Sequence, residues 1–319
     1  MTCNAKPCCA PGGHGKERAP ASLPKANGPR PGMVMIPAGP FNMGCDRGEG
    51  REEDGESPSR CVNLDAFWIG ETTVTNQEFS DFVAATGYVS DAERYGWSYV
   101  FWLAIRQETR QFVLSGRVAA APWWRAVRGA CWRHPEGPGS DINMRLDHPA
   151  VHISWNDAQA LCEWEGMRLP TEAEWEKAAR GGHNGLRYPW GDELTPDGQH
   201  RCNIWQGRFP EINAAEDGHL ITAPVKCFMP NDYGLWNMTG NIWEWTADRW
   251  SADWHVDASE VTRDNPQGPS QGTARVIKGG SYLCHESWCN RYRNAARSFN
   301  DPDASTAHMG VRRAWSRLS

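Results

Sequence analysis

The sequence predicts an α+β fold with a low content of regular secondary structure, and two observations carry that reading. The 319 residues include 32 Gly, 22 Pro and 18 Trp, so order rests on turns and large aromatics more than on long aliphatic helices. Short apolar runs of strand type are also interspersed with segments that open on capping boxes and continue at helical period. Length divided by about 150 is only a prior for domain number, since single domains of about 250 residues are common. The expected organisation is a flexible leader over residues 1–31 followed by one domain over 32–319.

The leader is poor in bulky hydrophobics and carries Pro20, Pro24, Pro29 and Pro31, too little apolar surface to order itself. From Met33, MVMIPAGPFNMG has short apolar runs broken by Pro37, Gly39, Pro40 and Gly44, which predicts a hairpin. Asp46 to Arg60 is charged and rich in Pro and Gly, which predicts a surface loop, and CVNLDAFWIGETTVT then alternates as a second strand region. Thr75 and Glu78 form a capping box, with Phe79, Phe82 and Val83 on one face and Gly87 as the stop. Residues 88–147 hold many aromatics at no clear period, including AAPWWRAVRGACWRHPEG. They suit either a groove for an extended peptide or simple core filling.

A strand is expected at Val151–Trp155, leading into two helices. The first places Ala158, Leu161 and Cys162 on one side. The second opens on the capping box of Thr171 and Glu174 and closes at Gly181 and Gly182. His148 and His152 have the spacing of a metal pair on a helix, but Pro149 and the extended context argue against one. A charged excursion over Ser251–Gly272 precedes ARVIKGGSY, a short strand that delivers KGGSYLCHESWCNRYRNAAR.

A net charge of −6 and a pI near 5.9, with no long basic run, give no footprint for nucleic acid. No apolar stretch approaches the roughly 18 residues of a membrane span, and residues 1–30 lack the apolar core of a signal peptide. Eleven cysteines, an odd number in a chain too long to need disulfide staples, fit reduced thiols and a cytoplasmic location. Cys3, Cys8 and Cys9 lie in the leader, either as a metal-binding tail or as idle residues.

The chemistry concentrates in the last motif. Cys284 and Cys289 stand five residues apart among Ser281, Tyr282, His285, Trp288, Tyr292 and Arg293. Soft thiolates beside hydroxyls and an imidazole suit redox or soft-metal chemistry, although a disulfide or two buried thiols fit the spacing as well. Upstream, NIWQGRFPEINAAEDGH and NDYGLWNMTGNIWEWTADRW offer Asn203, Asp217, Asn237 and Glu244 on glycine-broken backbone. Such oxygen ligands suit calcium, and Asx turns and helix caps would account for them equally.

From about Met33 to Arg313 the chain resembles the formylglycine-generating enzymes, the sulfatase-modifying factor family, of the bacterial type. The motifs that carry the resemblance are GGSYLCHESWCNRYRNAARSFNDPDASTAHMGVR, NIWQGRFPEINAAEDG, LWNMTGNIWEWTADRW, RLPTEAEWEKAARGG and AAPWWRAVRGACWRHPEGPGS. It implies a C-type-lectin-like variant of the α+β class and an oxidase that turns the cysteine of a sulfatase Cys-x-Pro-x-Arg segment into Cα-formylglycine with O2. The implied partners are an unfolded sulfatase polypeptide and a thiol reductant, and the implied state is a monomer. The resemblance gives Cys284 and Cys289 as ligands of Cu(I), Ser281 as an orienting or proton-relaying residue, and Trp243 as the border of the oxygen pocket. His285, Trp288, Tyr292, Arg293 and Ser305 match neighbours of the substrate site. Structural Ca2+ is implied at Asn203, Ile204, Asp217 and His219, and again at Asn237, Gly240, Ile242 and Glu244. His308 stands where eukaryotic members have asparagine. Asn294 and Arg313 replace their disulfide cysteines, leaving Cys202 and the other thiols without evident bridges.

Three rival readings are weaker. A calcium-bearing binding module of the same superfamily does not need Cys284, Cys289 and Ser281 intact. An iron-dependent sulfoxide synthase needs a glutamate where Ser154 stands and a further helical domain. A thiol–disulfide oxidoreductase needs C-x-x-C in a βαβ context.

Overall fold

The computed structural model describes residues 11–18, 28–256 and 259–316. Strands and helices are short and linked by long irregular segments, the α+β class expected. The order is β1 (Met33–Ile36), β2 (Gly39–Met43), β3 (Arg60–Leu64), β4 (Phe67–Gly70), α1 (Asn76–Thr86), α2 (Asp91–Tyr95), β5 (Trp97–Phe101) and β6 (Trp124–Arg128). Then come α3 (Trp155–Glu165), α4 (Glu172–Ala179), β7 (Gly207–Arg208), β8 (Ile212–Asn213), β9 (Trp243–Arg249) and α5 (Glu260–Arg263). The chain closes with β10 (Arg275–Lys278), β11 (Arg297–Asn300), β12 (Met309–Val311) and β13 (Ala314–Trp315).

The helix starts follow the local chemistry. Thr75 caps α1 and Thr171 caps α4, each in a reciprocal capping box, and Gly87 ends α1 in the left-handed conformation at φ 65°. The hairpin expected over Met33–Gly44 does not form. Pro37 offers no N–H and Gly39 turns the chain at φ 125°, so β1 pairs with β4 while β2 pairs with β3. The strand expected at Val151–Trp155 is also absent. His152 takes φ 59°, its N–H and that of Ile153 bond to the carbonyls of Thr306 and Met309, and Ser154 caps α3.

A four-stranded sheet in the order β11-β10-β9-β12 lies under the functional region, with β12 parallel to β9 so that Met309 faces Trp243. One buried cluster joins this sheet to α1 and α3 through Phe79, Phe82, Ile153, Leu161, Trp243 and Trp245, and it includes Cys284, Cys289 and Tyr292. A second packs Trp175 and Ala178 of α4 on Ile36 and Ile69.

The cysteine-bearing stretch is anchored by buried ion pairs. Lys278 meets Glu176 at 3.0 Å, Arg291 meets Asp54 at 2.5 Å, Arg293 meets Glu56 at 2.6 Å and Arg297 meets Glu172 at 2.7 Å. Asp54 and Glu56 lie in the segment expected to be a surface loop. They are buried because each neutralises an arginine that would otherwise carry an uncompensated buried charge. Gly55 between them is fixed by close approach, since a Cβ there would lie 1.9 Å from the Ala252 carbonyl oxygen.

The leader differs from expectation where it is described. Residues 11–18 lie against the domain: the Asn300 side-chain amide donates to the Pro11 carbonyl, and the His14 and Gly15 N–H groups donate to Asp303. Arg18 bridges Asp91 and Asp157, and Glu17 pairs with Arg275. Paired charges supply the affinity that its apolar content lacks. Cys3, Cys8 and Cys9 lie outside the described residues. No helix among the described residues is long and apolar enough to cross a membrane.

Candidate active site

Strand β10 ends at Lys278, and Gly279 and Gly280 then turn the chain at φ 91° and 75°. At Gly280 a Cβ would lie 2.9 Å from the Arg291 carbonyl oxygen, so the two arms of the cysteine loop touch there and only glycine fits. The loop then closes two tight turns. Cys284 N–H donates to the Ser281 carbonyl at 2.9 Å, and the N–H groups of Trp288 and Cys289 both donate to the His285 carbonyl. Ser281 N–H points at Cys284 Sγ, 3.4 Å away. Cys284 and Cys289 are thereby buried, at 1 % and 3 % exposure, in one cluster with Tyr292. The Tyr292 phenol is pushed up by burial, then by Tyr188 and by both thiols.

Above Cys284 is a small pocket lined by Trp123, Phe209, Ser281, Leu283, Cys284, Trp288 and His308. Its rim is aromatic: Trp123 packs edge-on against Trp288 with centroids 4.7 Å apart, and against Phe209 at 5.0 Å. The tryptophan-rich segment has members in two settings. Trp123 lines the pocket, whereas Trp124 and Trp132 are fully buried filling.

His308 completes the pocket. The sequence marks it only as a departure from asparagine, outside the expected site residues. Its Nδ1 lies 2.9 Å from Ser281 Oγ, and its ring meets Trp124 edge-on at 4.7 Å. Burial, helped by the field of His152, pushes its pKa down to about 3, so the imidazole is neutral. Trp243 is buried on β9, its N–H donates to the His308 carbonyl at 2.8 Å, and its indole N–H has no partner among the described residues.

Other expected site residues sit elsewhere. Both Arg293 terminal nitrogens are committed to Glu56 and its Nε to the Asn290 carbonyl, so it anchors the loop. Ser305 Oγ is 2.8 Å from Ser98 Oγ, which also bonds His152 Nδ1, and it does not line the pocket. Tyr292 is core, stacked on Tyr188 at 6.1 Å and 8°. His285 Nδ1 lies 2.7 Å from Ser287 Oγ, and the ring does not line the pocket. The helix-spaced histidines form no metal pair, because His148 bonds Thr222 while His152 bonds Ser98 and the Pro135 carbonyl.

The residues fit the metals implied for them to different degrees. Two buried sulfurs are a soft donor set suited to copper(I). In the first calcium set, Asn203 Oδ1 is buried without a hydrogen-bond partner among the described residues. Asp217 bonds only backbone and amide N–H groups, with no cation in ion-pair range among the described residues. In the second set Asn237 Oδ1 is similarly orphaned, but Glu244 is shared. Its Oε2 accepts from Trp175 and Arg312 and its Oε1 from Arg312 at 2.8 Å, leaving one lone-pair direction on Oε1. Among the described residues no group of three or more His, Cys, Asp or Glu side chains is placed to hold a metal ion. Each calcium set therefore has one carboxylate, Asp217 or Glu244, and draws otherwise on amide and carbonyl oxygens. Cys45, Cys61, Cys131, Cys162, Cys202 and Cys227 are free thiols.

Residues 19–317 match the family model of the sulfatase-modifying factor enzyme 1-like domain. The chain is 60 % identical over 281 residues to the formylglycine-generating enzyme of Thermomonospora curvata, covering 88 % of this chain and 92 % of that one. It is 56 % identical over 296 residues to the formylglycine-generating enzyme of Streptomyces coelicolor, covering 93 % and 92 %. Among solved structures it is similar to PvdO from Pseudomonas aeruginosa, with a TM-score of 0.63 at 22 % identity over 88 % of this chain and 93 % of that one, a likeness of fold alone.

Proposed function

The chain belongs to the sulfatase-modifying factor enzyme 1-like family, and from that premise we propose that it activates sulfatases by converting a cysteine to Cα-formylglycine. The finer reading is a cytoplasmic, monomeric oxidase with its catalytic domain over 32–319, acting on an unfolded Cys-x-Pro-x-Arg segment with O2 and a thiol reductant. The observation that carries it is the burial of Cys284 and Cys289 in one turn-closed loop beneath an aromatic pocket.

Cys284 and Cys289 would hold copper(I), with the substrate thiol completing the sulfur set. Copper so held would supply one-electron reactivity toward O2. Ser281 N–H fixes the direction of Cys284 Sγ. Trp123, Phe209 and Trp288 line the pocket beside Cys284 and would shield a bound substrate thiol from water. In the balanced reaction the substrate thiol R–CH2–SH, O2, two electrons and two protons yield the aldehyde R–CHO, hydrogen sulfide and water. Two reductant thiols closing to a disulfide supply both the electrons and the protons.

The test is mass spectrometry of a Cys-x-Pro-x-Arg peptide incubated in air with the protein, copper(I) and a thiol. A mass loss equal to replacing CH2–SH by CHO is expected, and only with copper present. An unchanged peptide with folded, copper-loaded protein would remove the oxidase reading.

Calcium at the two oxygen sets would be structural. A chelator is expected to lower the melting temperature of the wild type, and Asn203→Ala is expected to lower it in advance and blunt the chelator's effect. Equal chelator sensitivity in the variant would remove Asn203 from the ligands.

A further inference from the structure

The structure assigns a second peptide-recognition site, an acidic seat formed by α2, α3 and the β11–β12 connection, whose ligand is the chain's own leader segment 11–18. It goes beyond the function proposed above and does not depend on it.

The seat is incomplete without its ligand. Asp91 and Asp157 are both buried, and the Asp91 N–H donates to Asp157 Oδ1 at 3.0 Å, which holds the two carboxylates together. Their side-chain and backbone donors from Tyr88, Ser154 and Asn156 are all neutral. Among the described residues the only cation in ion-pair range of either carboxylate is Arg18, which bridges the two. Adjacent buried carboxylates repel and cannot both stay ionised without a cation. The elements that carry them supply none, so the leader's guanidinium completes the site.

The rest of the leader is read by shape and by its backbone. Asp303 Oδ1 accepts from the His14 and Gly15 N–H groups at 2.7 and 2.9 Å, while the Tyr95 hydroxyl holds Oδ2 at 2.6 Å. A Cβ on Gly13 would lie 2.3 Å from that Oδ1 and 2.7 Å from the Ala304 nitrogen, and one on Gly12 would lie 2.9 Å from Asp301 Oδ2. Only bare backbone comes so close. The Asn156 side chain clasps the next stretch, donating to the Lys16 carbonyl at 2.8 Å and accepting from the Arg18 N–H at 3.0 Å. Glu17 pairs with Arg275 at 2.8 Å, so the charges are read in the order Glu-Arg. Two rings complete the fit: Tyr88 lies under the Arg18 guanidinium at 5.1 Å, and Tyr95 meets His14 edge-on at 5.2 Å. Covalent attachment holds the leader at an effective concentration of about the millimolar range, so polar contacts of this kind suffice in cis.

Hydrogen exchange on the full chain reads occupancy amide by amide. The His14, Gly15 and Arg18 amides should exchange more slowly than those of the free peptide PGGHGKER. Arg18→Met should speed all three about tenfold or more, with α1 remaining protected. Arg18→Lys should recover only part of the protection, because an ammonium lacks the fork that spans two carboxylates. Recognition is tested on the full chain carrying Gly13→Val and Arg18→Met together, which displaces its own leader. That chain should bind labelled PGGHGKER and the wild type should not, and the same peptide with Arg18→Met should bind about tenfold more weakly or worse. Free-peptide exchange rates in the wild type, equal peptide binding by the wild type, or no binding by the displaced chain at millimolar peptide would each overturn the inference, whatever the outcome of the sulfatase-peptide assay.

Discussion

Cys284→Ala is expected to abolish peptide conversion, with a fall of about a thousandfold or more, while the fold is retained. The two sides of this forecast come from different physics. A thiolate is the soft donor that copper(I) requires, and neither alanine nor an un-ionised serine hydroxyl replaces it. Stability is affected much less, because Cys→Ala removes one sulfur from a large cluster, a cost on the order of 1–2 kcal/mol. Cys289→Ser should behave alike, and the double variant should be no worse than either single one, since the two sulfurs act as a unit. Copper(I) titration and near-ultraviolet circular dichroism read binding and fold separately. Full turnover by Cys289→Ser with copper supplied would show that the roles are wrongly assigned.

Residues whose job is local are legible in the sequence, and those whose job depends on a distant partner are concealed. Thr75 with Glu78 and Thr171 with Glu174 read as helix starts because both halves of each capping box lie within one turn. Cys284 and Cys289 are legible as a pair for the same reason. The anchoring of Arg293 is concealed because its ion-pair partner, Glu56, is 237 residues away in a stretch that looks like a charged surface loop. Met33–Gly44 reads as a hairpin, yet β1 finds its partner at Phe67–Gly70 and β2 at Arg60–Leu64, and alternation alone does not choose between them. His308 offers one signal, its departure from asparagine. Its setting needs Ser281, which lies 27 residues upstream just after β10 and is brought to it where β10, β9 and β12 run side by side.

The same long-range logic makes Lys278 a side chain whose loss should cost much stability. It is fully buried at the end of β10, 3.0 Å from Glu176 and 3.9 Å from Glu172, immediately before the turn into the cysteine loop. Burial pushes the Glu176 carboxyl up, but Lys278, Arg180 and the Gly44 N–H outweigh it and bring the pKa down from 4.5 to about 2. A carboxyl depressed in the folded state contributes stability that is complete above pH 4.5 and is lost as pH falls through 2. Lys278→Met keeps the bulk and removes the charge, leaving Glu176 with Arg180 alone and Glu172 with Arg297 alone. The expected loss at neutral pH is about 3–5 kcal/mol, with acid unfolding beginning at higher pH than in the wild type. Lys278→Met combined with Glu176→Gln should recover part of it, because the uncompensated charge is then gone. Chemical denaturation across pH reads the wild type and both variants. Peptide conversion should fail in Lys278→Met before global unfolding, since Gly279, Gly280 and Ser281 hang directly from this anchor. A variant as stable as the wild type, with an unmoved acid limb, would show that Arg180 suffices for Glu176 and that the cysteine loop is held from its other end, by Arg291 on Asp54 and Arg293 on Glu56.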